Sequence, residues 1–64
     1  MKKAIREVIA GLRMRSTELY NEVPEYRAKG KYVTAGRKEG MAMGYNIAAN
    51  WLQMALSKYD EEEE

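Results

Sequence analysis

Between Met41 and Ser57 the chain carries no charged side chain, a run of seventeen positions in a sequence of 64 residues of which 33% are charged. Its polar residues are Asn46, Asn50, Gln53 and, at its end, Ser57, spaced i, i+4, i+7 and i+11. On a helix that spacing makes one narrow polar stripe. The rest of the circumference is Met41, Met43, Tyr45, Ile47, Trp51, Leu52, Met54, Leu56 and alanines. A surface helix usually carries an apolar stripe somewhat wider than about 100°, and this one is apolar over about twice that width. A helix of this kind has to be covered on more than one side.

The first half of the chain offers cover for one side. Ile5, Val8, Ile9 and Leu12 fall at i, i+3, i+4 and i+7, and Ser16, Leu19 and Val23 continue the stripe. This pattern predicts a helix over about 2–21, ended by Pro24 because the residue before a proline avoids the helical region. Pro24–Lys29 suits a short helical turn stopped by Gly30, and Thr34 is a candidate N-cap for a second helix over about 35–59. The fold class is therefore all-α: a helical hairpin of two main helices with a short irregular or helical connector. Residues 1–59 form one domain, and 60–64 a disordered acidic tail.

A domain of about 60 residues buries only about 60% of its unfolded surface. Small proteins add disulfides, metals or oligomerisation. This chain has no Cys and no His, which leaves assembly into a homo-oligomeric helical bundle, or a protein partner, as the support. Gly36, Gly40, Gly44 and Ala48 recur every four residues, and small residues at that spacing let another backbone approach closely. The expected interface is Gly40, Gly44, Ile47, Ala48, Trp51, Leu52 and Ala55, with Trp51 at its centre. A membrane span is not expected. The uncharged run is at the lower limit of about 17–25 residues, three amides interrupt it, and the first helix is too charged to accompany it. Arg6, Glu7, Arg13 and Arg15 break any secretory apolar segment, so a cytoplasmic location is expected.

The net charge of +1 conceals an asymmetry: Asp60–Glu64 hold five of the ten acids, leaving eleven Lys and Arg against five Glu before them. Arg27, Lys29, Lys31, Arg37 and Lys38, with Tyr32 among them, form a candidate anion-binding connector. Phosphates attract such clusters and tyrosines stack on bases. Catalysis is not expected. No His is present, Ser16 and Ser57 have no base beside them, and the glycines lead into no phosphate loop. No metal and no cofactor are expected either.

The stretch Arg37-Lys38-Glu39-Gly40-Met41-Ala42-Met43-Gly44-Tyr45-Asn46-Ile47-Ala48, closed by Leu52, resembles a pattern found in small bacteriophage-encoded helical accessory proteins. There a charged turn leads into Gly-x-x-x-Gly-x-x-x-Ala. The resemblance covers about a quarter of the chain and carries over no functional residue. It implies a stoichiometric factor, acting in the host cytoplasm, that binds and inhibits or modulates a host macromolecule. The alternative is an oligomeric binder of nucleic acid or a small phosphorylated ligand through the basic connector. Phosphate binding weakens steeply with salt, whereas an apolar contact does not.

Overall fold

The structure, a computed structural model, describes residues 2–63, with side chains described for residues 2–59. Two helices, α1 (Lys2–Ala28) and α2 (Tyr32–Glu63), fold back on each other as an antiparallel hairpin. The molecule measures 52 × 14 × 11 Å, with a radius of gyration of 15.1 Å. A compact domain of this length would have a radius near 11 Å. The hairpin is therefore a rod of two helices with no third layer over either one.

What joins the two helices is a seven-residue repeat on each. In α1, Ile9, Ser16 and Val23 are buried seven apart, with half-buried Leu12 and buried Leu19 between them and half-buried Tyr26 after them. In α2, the buried positions are Ala35, Ala42, Ala49 and Leu56, again seven apart. Repeats of seven keep one face of a helix against its neighbour along a left-handed supercoil. Alanine at three of the four α2 positions lets the two backbones come close: Ala42 and Ala49 are 0% exposed. The Ser16 hydroxyl donates to the Ala42 carbonyl oxygen across the seam at 2.7 Å. A short side chain reaches a neighbouring helix's backbone only when the helices nearly touch. Toward the open end, Ile9, Ala49 and Leu56 pack with Ile5, Leu12 and Leu52.

The helix limits differ from those expected at four places. Pro24 does not end α1 but lies inside it, four residues before Ala28. Lacking an N–H, it forfeits one helical bond at a cost of about 3 kcal/mol, yet contacts on both sides of it hold the helix. Val23 is buried against α2, and Arg27 beyond it binds Glu39 at 2.6 Å. Pro24 itself sits on the exposed side.

The connector is also shorter than expected, running over residues 29–31 only, with no separate third helix. Gly30, at φ 75°, stops α1, into which the separate turn expected over Pro24–Lys29 is merged. Its N–H donates to the Arg27 carbonyl at 3.0 Å, and the Lys31 N–H donates to the Tyr26 carbonyl at 2.8 Å. These two bonds make a Schellman cap, and only a residue free of a Cβ takes the left-handed conformation cheaply there. The Lys31 ammonium lies 6.0 Å from the Tyr26 ring, closing the motif with a side-chain contact. Finally, Thr34 is not an N-cap. The cap reverses the chain so directly that α2 starts at Tyr32, and the Ala35 N–H already bonds the Lys31 carbonyl at 3.0 Å. At the other end α2 runs to Glu63. This passes the expected limit near residue 59, so that positions 60–63 of the expected disordered tail continue the helix, while their side chains and residue 64 lie outside the described residues.

Enlarging the alanine seam should force the helices apart. Ala49→Leu keeps helix propensity high but overfills the contact, and we expect a loss of about 1–3 kcal/mol. Thermal unfolding followed by circular dichroism checks this; an unchanged or higher midpoint would mean that the helices are not in close contact.

Candidate interaction face on the second helix

Turning α2 by half a revolution away from its alanine seam reveals a second repeat. Gly40, Gly44, Ile47, Trp51, Met54 and Lys58 follow one another at intervals of four and three residues, the spacing of a coiled-coil seam. All six are exposed. Val33, seven residues before Gly40, continues the row and is also exposed. Trp51, expected at the centre of a buried surface, is 68% exposed in the hairpin. Met43, Ala48 and Ala55 flank the row and are exposed as well. Of the seven residues expected at an interface, only Leu52 is taken up by the hairpin, half-buried at the edge of its core. The other six share the uncovered side.

The glycines on this face serve nothing inside the hairpin. A Cβ built on Gly36, Gly40 or Gly44 meets no heavy atom within 4 Å. Each glycine still costs the helix roughly 1 kcal/mol relative to alanine. Gly40 and Gly44 leave a shallow, side-chain-free stretch of helix immediately before the bulky stretch Ile47–Met54.

The polar residues of the uncharged run lie elsewhere on the helix. Asn46 and Asn50 both accept hydrogen bonds from Nη1 of Arg13 in α1, each at 3.2 Å. The amide stripe is thus the flank of α2 that turns toward α1, and this concentrates the apolar residues on the far side. The Arg13 contact was legible only as a pair of amides four residues apart with an arginine on the other helix. Nothing in the sequence aligns the two.

The basic connector is a network of ion pairs rather than an open cation cluster. Arg27 binds Glu39 at 2.6 Å, Lys29 binds Glu25 at 3.2 Å, and Lys38 binds Glu22 at 2.9 Å. The Lys38 ammonium also lies 5.0 Å from the Tyr26 ring centroid. Its hydrogen bond to Glu22 raises its pKa above the usual lysine value, against some desolvation. In α1, the Arg15 guanidinium binds Glu18 at 3.2 Å, and that hydrogen bond likewise raises its pKa. Lys31, Tyr32 and Arg37 remain exposed. Three of the five expected anion-binding cations therefore already face carboxylates, which lowers the field available to a phosphate.

Among the described residues no group of three or more acidic, His or Cys side chains could hold a metal ion. No described helix is long and apolar enough to cross a membrane. Comparison of the chain with known protein families, with curated proteins and with solved structures gives no match.

The Lys38–Glu22 pair gives a direct check on the turn. Lys38→Glu sets two carboxylates against each other and is expected to lower the melting midpoint. Adding Glu22→Lys restores the attraction and should recover most of the loss. If the doubly exchanged chain melts as low as the single variant, the pair does not help to hold the turn.

Proposed function

We propose that this chain is a small, non-enzymatic interaction protein whose working face is the outer side of α2. Through that face it assembles into a homo-oligomeric helical bundle, and in that form it binds and inhibits or modulates another macromolecule. The observation that carries this reading is the exposed row of Ile47, Trp51 and Met54 beside Gly40 and Gly44, uninterrupted by charge until Lys58. Contiguous exposed apolar surface on a small protein marks a contact site, and Trp is enriched among the residues that dominate such contacts. The resemblance to phage-encoded accessory proteins points the same way.

Recognition of nucleic acid or a phosphorylated ligand by the connector is the weaker reading, because Arg27, Lys29 and Lys38 are engaged by Glu39, Glu25 and Glu22.

An immobilised wild-type chain, challenged with host-cell extract, is expected to retain a protein that stays bound in high salt. An immobilised Trp51→Glu chain should lose it. Equal retention by both chains would remove the outer face of α2 as the working face. Retention that disappears with salt would shift the site to the charged turn.

A further inference from the structure

We propose that the occupant of the outer face of α2 is a second copy of this chain, running antiparallel, with the bulky residues of each copy seated over the glycines of the other. The inference rests on the reading of that face given above and names its partner.

The first argument is area. The hairpin exposes 4931 Å², whereas a folded monomer of 7.4 kDa exposes about 4200 Å². The excess of about 700 Å² is close to the roughly 800 Å² that each partner buries in a standard protein interface. Two copies joined along α2 would bring the surface down to that of ordinary folded chains.

The second argument is shape. In antiparallel seams, alternate positions of one helix face those of the other in layers. One register lets every glycine of the row face a large side chain: Gly40 opposite the partner's Trp51, and Gly44 opposite the partner's Ile47. By two-fold symmetry each contact occurs twice, as an isologous interface requires. The same register sets Val33 opposite the partner's Lys58 and Met54 opposite the partner's Arg37, whose aliphatic stem can cover it. A parallel pairing would instead stack Trp51 on Trp51, and the paired rings would hold the backbones apart just beside the glycines that could otherwise approach closely. The glycines, which meet nothing within the hairpin, receive the large side chains of the other copy when the helices are antiparallel.

The third argument is charge. The turn end carries Arg27, Lys29, Lys31, Arg37 and Lys38 against Glu22, Glu25 and Glu39, an excess of two positive charges even with three ion pairs formed, and the sequence places five consecutive acids after Tyr59, at the opposite end of α2. The register that pairs Gly40 with the partner's Trp51 sets Tyr59 of one copy level with Tyr32 of the other, so that α2 beyond Tyr59 runs out beside the partner's turn. A parallel dimer would set acids beside acids and bases beside bases. Complementary ends select orientation even where they add little affinity.

The test uses the absence of cysteine from the chain, so that an introduced thiol is unique. Val33→Cys and Lys58→Cys chains, both altered at exposed positions, are mixed, equilibrated and treated with a short bis-maleimide. We expect mixed dimers to be captured efficiently, and Lys58→Cys alone to give none, since two such thiols would stand about 37 Å apart at 1.5 Å per residue. Gly44→Leu, which has open space around it in the hairpin, is expected to keep or raise helicity while sedimenting as a monomer. Crosslinking of Lys58→Cys to itself would overturn the antiparallel arrangement and leave the working face standing. A wild-type chain that sediments as a monomer at micromolar concentration would overturn the second copy. Whether the face itself then fails is read independently, from the retention by wild-type and Trp51→Glu chains.

Discussion

The close approach of the two backbones at Ala42 and Ala49 is the constraint on which the rest of the molecule depends. Because α2 presents alanines every seven residues, α1 can lie near enough for the Ser16 hydroxyl to bond a carbonyl of α2. That bond satisfies a hydroxyl that would otherwise be buried without a partner, at a cost of about 1–3 kcal/mol. It also ties the axial register of the hairpin at Ser16 and Ala42. The same register brings Arg13 to Asn46 and Asn50 and aligns Glu22 and Arg27 with Lys38 and Glu39.

An alanine seam is tight but thin. Among the described residues Leu19, Leu56, Ile9 and Val23 are the only large apolar side chains no more than 5% exposed, and dispersion and apolar burial scale with the atoms brought together. The hairpin therefore holds its helices by proximity, register and peripheral polar contacts more than by a thick core. Its largest apolar residues are directed outward. Trp51, Ile47 and Met54 add nothing to the seam with α1, and Gly40 and Gly44 weaken the helix that carries them. These are residues whose cost makes sense only in a contact outside the hairpin.

Charge is arranged in step with this. At the turn, carboxylates of α1 and α2 occupy most of the cations, and the pairs are exposed enough to contribute little individually. Their effect is to pin the end of the hairpin beside the Schellman cap, where Pro24 would otherwise loosen the last turn of α1. The outer face of α2 is left without charge over its middle, so nothing there opposes apolar contact.

Much of the architecture was legible in the sequence, because helical periodicity is a local property. The stripe from Ile5 to Val23, the uncharged run of α2, its narrow amide stripe and the stop at Gly30 all follow from spacing and residue type. Pro24 and Thr34 misled for different reasons: the preference of Pro24 for ending a helix was outweighed by contacts made with the other helix, whereas the cap at Gly30 lets α2 start at Tyr32 and bypasses Thr34. Which side of α2 would be covered could not be read locally. Large residues dominate an apolar pattern, yet it is the small Ala35, Ala42 and Ala49 that pack against α1, since two helices of modest stripe gain most by approaching closely. The sequence by itself determined two helices and a surplus of apolar surface. Only the tertiary structure decided that the surplus is the Trp51 side of α2, because the seven-residue alanine repeat matches α1 and the glycine-bordered face does not.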